Sequence, residues 1–145
     1  MKNRKQLNKN WFTMIEMVVV IVIIALLASI ATPLYFRHVK RARVSAARTQ
    51  IRLLEQAVFD FRLDMGRLPD ASYGLKELVS NVNNDSHWDG PYLKQGLPSD
   101  PWGRPYVYKC PGEHGEFDIM SYGADGQPGG TGENADVGNW LTTQE

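Results

Sequence analysis

The residue hardest to explain by folding alone is Glu16. It stands in WFTMIEMVVV, at the head of twenty uncharged residues from Met17 to Phe36. A carboxylate at the centre of a bilayer costs on the order of 3 kcal/mol on insertion scales, and less near the interface. A cation at about 4 Å offsets roughly 4 kcal/mol at an effective dielectric of 20, before desolvation is subtracted. Two readings follow. Glu16 is an interfacial acid that snorkels to water, or it waits for a cation from another chain and favours assembly over the lone subunit. The second cluster lies in GADGQPGGTGENADVGNW, a glycine-rich stretch bearing Asp125, Glu133, Asn134 and Asp136. Oxygen ligands around a hard cation such as calcium would hold a loop of this length, and a plain solvated loop is the other reading. The spacing does not match an EF-hand.

Elsewhere the chemistry is thin. His38, His87 and His114 are scattered, and Cys110 with His114 supplies two ligands, short of a zinc site. There is no serine nucleophile elbow and no phosphate-binding glycine loop, since acids among the late glycines repel phosphate. These residues do not describe an enzyme. Trp88, Trp102 and Trp140 read as packing residues.

The elements that must position these groups begin with a helix. Twenty uncharged residues at 1.5 Å each span about 30 Å, one hydrocarbon thickness. The preceding KNRKQLNKN carries four bases and no acid, like the basic start of a secretory signal. The apolar run outlasts such a signal and continues in helix-compatible sequence, so a retained membrane helix is expected. Beyond Pro33 the pattern becomes amphipathic. Ile51, Leu54, Val58, Phe61 and Met65 recur at three- and four-residue spacings, one stripe of a helix. No glycine interrupts Phe12 to Met65, and Gly66 with Arg67-Leu68-Pro69 ends the helix. A kink or local melt is expected at Pro33. GLKELVSN (74–81) predicts a short helix packing Leu75, Leu78 and Val79. RPYVYK (104–109) and FDIMS (117–121) predict strands, joined through PGEHGE (111–116) as a hairpin. Val137 and Trp140 are expected to pack back onto the domain, with LTTQE frayed.

Composition sets the frame. The chain has 145 residues, 43% apolar and 22% charged, and one cysteine, which excludes disordered, collagen-like and disulfide-framework classes. Net charge is zero, yet residues 1–54 carry ten bases against one acid, and residues 55–145 carry six bases against fifteen acids. This dipole suits head-to-tail self-association at least as well as nucleic acid. As a nucleic-acid surface the basic face lacks a binding motif and interleaved aromatics. Arg37 to Arg43 suit lipid headgroups, and the later bases suit an acidic face of a neighbouring subunit.

WFTMIEMVVVIVIIALLASIATP resembles the class III signal of type IV pilin-like proteins, and LPSDPWGRPYVY, PGEHGEFDIMSYGADG and the final NW resemble the major pseudopilin of type II secretion systems. The resemblance covers nearly the whole chain. It implies an α+β fold, a long N-terminal helix packed on a small domain with a short antiparallel sheet and a calcium-type loop. It implies a leader at 1–11, a transmembrane and assembly helix at 12–36, an amphipathic half at 37–65 and a periplasmic domain at 66–145. A prepilin peptidase would cut between Trp11 and Phe12 and methylate Phe12, Glu16 would be the assembly glutamate, and Pro33 the helix proline. The implied function is that of a subunit polymerising into a periplasmic pseudopilus that drives export of folded proteins. Its partners would be its own copies, other pseudopilins, inner-membrane assembly proteins and lipid. Another pilin-like subunit (a type IV or competence pilin, or a minor pseudopilin) is the alternative. The implied topology is a single pass of the inner membrane, N-terminus cytoplasmic. The implied calcium ligands are Asp125, Asp136 and the backbone carbonyl of Tyr122. Trp11 stands where the family has glycine and Ala135 where it has the first of two aspartates, leaving Asn134 or Glu133 to supply the missing oxygen.

Overall fold

The computed structural model describes residues 13–143 of the chain. Helix α1 runs Met14–Met65. Thr13 opens it, its hydroxyl accepting the Glu16 backbone N–H at 3.2 Å, an N-cap bond that satisfies one of the free amides of the first turn. The helix passes through Pro33 without a break, so the expected local melt is absent. Gly66 ends it as the sequence predicts. Its φ of +67° is open to glycine at little steric cost, and its N–H closes on the Arg62 carbonyl at 2.9 Å.

The chain divides into two compact units, residues 1–38 and 39–145. In the first, every described residue is exposed, and the helix is long and apolar enough to cross a membrane. The span's serine and threonine hydroxyls are turned onto their own helix. Ser29 donates to the Leu26 carbonyl and Thr32 to that of Ala28, each at 2.7 Å. This leaves neither hydroxyl dependent on water.

In the second unit α1 contributes a buried stripe of Ala47, Ile51, Leu54, Val58 and Phe61, with Met65 half-buried at its end. The predicted short helix is a 3₁₀ helix, Gly74–Leu78, burying Leu75 and Leu78. The hairpin forms from β1 (Val107–Lys109) and β2 (Asp118–Ser121), paired antiparallel with Val107 opposite Met120 and Lys109 opposite Asp118. A third strand missed by the pattern, β3 (Val137–Gly138), pairs with the other edge of β2, Ser121 opposite Val137. All four residues of β2 are buried, as befits a central strand covered on both faces. Beyond β3 a 3₁₀ helix, Asn139–Thr143, replaces the expected frayed start of LTTQE. Tyr106 donates to Gln50 Oε1 on α1, and Tyr108 to the Pro69 carbonyl at 3.0 Å. Burial pushes both phenols' pKa values up, so they remain protonated donors.

Candidate functional site

Glu16 sits in the first turn of α1, on a helix whose residues through His38 are all exposed among the described residues. Met14, Ile30 and Leu27 are 90%, 66% and 63% exposed. At this end of the helix a carboxylate also meets the positive end of the macrodipole. Trp11 and Phe12, the residues of the expected cleavage and methylation, lie outside the described residues.

The glycine-rich loop, residues 122–138, is ordered by two groups, Asp100, which the sequence pattern did not pick out, and Glu133, which it offered only as a candidate ligand. At its base is Asp100. This carboxylate is 5% exposed and accepts the Ser121 hydroxyl at 2.6 Å and the backbone N–H groups of Trp102 and Arg104 at 3.0 and 2.8 Å. The turn it caps carries Arg104, whose guanidinium donates to the carbonyls of Gly123 and Ala124 at 2.6 and 2.9 Å. SDPWGR therefore grips the start of the loop. An Asp followed by Pro and then Gly is an Asx-turn signal, so the turn was readable, but its hold on a loop twenty residues on was not. Gly123 allows the fit. Its φ is +63°, and a Cβ there would stand 2.8 Å from the Glu133 carbonyl oxygen and 2.9 Å from that of Ala135.

The second group is the carboxylate of Glu133, which meets donors from α1 and from the 100–104 turn. Oε1 accepts the Trp102 indole N–H at 3.2 Å and Arg43 at 3.3 Å, and Oε2 lies 3.5 Å from Lys40 Nζ. The indole first, then the two cations, hold this carboxyl below the usual carboxylate range. No sequence signal links position 133 to 102, 43 or 40.

The remaining expected ligands fall as follows. Asp136 Oδ2 accepts the Gly129 N–H at 2.9 Å, while its backbone N–H donates to the Gly129 carbonyl at 3.2 Å. Its Oδ1 is buried and has no hydrogen-bond partner among the described residues, an arrangement costly for a carboxylate unless a cation meets it. Asp125 is exposed and accepts the Gln127 N–H at 3.1 Å. The Tyr122 carbonyl accepts the Gly126 N–H at 3.2 Å, and the Asn134 N–H donates to the Thr131 carbonyl at 3.2 Å. Among the described residues no three His, Cys, Asp or Glu side chains converge in this form. A hard cation would thus draw on backbone oxygens as well as carboxylates, and the orphaned Asp136 Oδ1 fits one.

Two further buried acids are structural. Glu77, 1% exposed, accepts Arg67 at 2.8 Å, Asn83 Nδ2 at 3.2 Å and the Asp70 N–H at 3.3 Å. Asp118 accepts the Glu113 N–H at 2.8 Å and lies 3.0 Å from His114 Nδ1. The His114 ring stacks on Trp140, centroids 3.9 Å apart. Trp88 donates to the Glu77 carbonyl at 2.8 Å, and Trp102 and Trp88 both pack against the core. Cys110 is half-buried.

Comparison with known proteins places this arrangement. Residues 35–140 match the family model described as Type II secretion system (T2SS), protein G. The chain is 39% identical to the type II secretion system core protein G of Vibrio cholerae, over 94% of this chain and 95% of that one. It is 40% identical to that of Pseudomonas aeruginosa, over 97% and 99%. Among solved structures it resembles the major pseudopilin from the type 2 secretion system of enterohaemorrhagic Escherichia coli, with a TM-score of 0.58 and 35% identity, over 70% of this chain and 89% of that one. A chain with this helix, this three-stranded sheet and this loop, matched over nearly its full length, belongs to the type II secretion system protein G family, the major pseudopilins.

Proposed function

We propose that the chain is the polymerising subunit of a periplasmic pseudopilus that drives folded proteins outward through a type II secretion system. One observation carries this reading. The helix from Met14 to Phe36 presents apolar side chains on all sides, every one of them exposed among the described residues. Such a surface is stable in lipid or packed among copies of itself. Single-pass anchoring in the inner membrane, with the N-terminus cytoplasmic and residues 66–145 periplasmic, follows from this reading. So does removal of residues 1–11 by a prepilin peptidase before Phe12. In the filament the Glu16 carboxylate pairs with the terminal ammonium of a neighbouring copy, and exposed bases such as Arg48 and Arg52 lie along acidic surface of another. Other pseudopilins and the inner-membrane assembly proteins are the remaining partners.

Calcium in the glycine-rich loop belongs to the same proposal. Asp136, through its unpartnered Oδ1, and Asp125 are the carboxylates that would hold it, with oxygens from Tyr122 and Asn134. Bound there, the ion neutralises the acids and fastens a segment whose glycines otherwise favour the unfolded chain.

The test is Glu16→Ala in cells carrying the secretion system. Membrane insertion is retained and sedimentable filament is lost. Normal filament in this variant would reject the pairing. Mass spectrometry of the native N-terminus, expected to begin at a methylated Phe12, tests the processing.

A further inference from the structure

Glu133 was a candidate ligand, but its surroundings assign it another task. Three donors from two distant segments meet its carboxylate: Lys40 and Arg43, one turn apart on α1, and the Trp102 indole of the 100–104 turn. The side chain is 14% exposed, so these contacts are partly shielded from water and salt. The backbone of the same residue makes a separate set of contacts within the loop. Its carbonyl accepts the Ala124 N–H at 3.0 Å and forms the wall against which Gly123 packs. One residue therefore builds the inner wall of the loop with its main chain and ties the loop to the helix with its side chain.

We propose that Glu133 is a positioning residue, an ion-pair anchor that holds the 122–138 loop on α1 and presents Asp136, so that the loop keeps its shape before any divalent cation arrives. The next residue but one is Ala135, which offers no side-chain oxygen. A loop short of one carboxylate gains less from a cation than one with a full set, and order supplied by Lys40, Arg43 and Trp102 makes up the difference. The anchor stands on the contacts around Glu133, and only its link to cation affinity rests on the calcium reading above.

The experiment uses the full chain in detergent micelles, with amide hydrogen exchange of residues 122–138 in calcium or in chelator, and a calcium titration. In the original chain the loop stays protected in chelator. In Glu133→Gln, and in Lys40→Ala with Arg43→Ala, its amides exchange about tenfold faster in chelator, the size expected of two partly exposed ion pairs acting together. Arg43→Lys, which keeps the charge, restores protection. If Glu133 anchors, Glu133→Gln and the Lys40/Arg43 double variant lower calcium affinity alike. If it were a ligand, only the first would. Three results overturn the anchor: chelator alone strips protection from the unmodified chain as fully as from Glu133→Gln, Glu133→Gln exchanges like the unmodified chain, or only Glu133→Gln loses affinity. If calcium moves nothing in any variant while Glu133→Gln still opens the loop, the anchor stands and the calcium reading falls.

Discussion

Replacing Asp100 tests whether one buried carboxylate supports both the 100–104 turn and the loop. Its two oxygens accept three hydrogen bonds, from the Ser121 hydroxyl and the amides of Trp102 and Arg104. Hydrogen bonds to a charged group contribute about 1.5–3 kcal/mol each, and they are not additive. Asp100→Ala removes all three and strands two amides where the carboxylate was 5% exposed. A loss of about 3–5 kcal/mol is expected, a large share of the stability of a domain this size. Asp100→Asn keeps one acceptor oxygen for the amides, and the Ser121 hydroxyl can turn to accept from the new NH₂ group, so its loss is about 1–2 kcal/mol. Ser121→Ala loses two bonds, the one its hydroxyl donates to Asp100 and the one it accepts from the Gly123 N–H at 3.3 Å, about 2 kcal/mol together. The assay is urea unfolding of the full chain in micelles, followed by tryptophan fluorescence, since Trp102 lies two residues from the substitution. Amide exchange of residues 122–126 reads the second effect. Arg104 holds the Gly123 and Ala124 carbonyls only while its turn is intact, so these amides deprotect together with the turn. Asp100→Ala within about 0.5 kcal/mol of the original chain, the scatter of a surface substitution, would refute the reasoning. So would a stability loss with the loop still protected.

Other outcomes follow from the same contacts. Phe61→Ala empties a fully buried core site and costs about 3–5 kcal/mol, whereas Leu63→Ser, at a position 83% exposed, stays within about 0.5 kcal/mol; urea midpoints compare them. Arg67→Ala leaves the buried Glu77 with two neutral donors and costs about 2–3 kcal/mol, below the range for a fully buried pair because Arg67 is half-exposed. The folded-state pKa of Glu133 lies below its ordinary value, so its stabilisation is present above the ordinary carboxylate pKa and fades as pH falls through the folded value. The stability gap between the original chain and Glu133→Gln should close on acidification, and a gap that widens would contradict the sign. Calcium raises the melting temperature of the chain and chelator lowers it, by mass action on the folded state; equal melting in both would remove the ion from the loop.

Much was legible in the sequence because its signals are local. An uncharged run of twenty residues is a membrane-length helix whatever follows it. A stripe at Ile51, Leu54, Val58 and Phe61 is a helix face, and a glycine at 66 is a stop. The hairpin came from two short β-rich runs flanking a turn. What was missed depends on pairing across distance. Strand β3 is two residues long, too short to carry a period, and exists because β2 offers it an edge. The expected melt at Pro33 did not form, as the lost hydrogen bond did not break the surrounding helix.

The sequence by itself determined the membrane-length helix, the charge dipole, the position of Glu16 and the presence of acids among late glycines. Each is set by residues adjacent in the chain or one helical turn apart. Only the tertiary structure decided which partners each acid of the loop meets. Glu133 and Asp136 are three residues apart, yet one turns to Lys40, Arg43 and Trp102 while the other keeps a buried, unpartnered oxygen. Such a difference follows from which donors the fold brings within about 3 Å of each carboxylate, and no spacing along the chain encodes that.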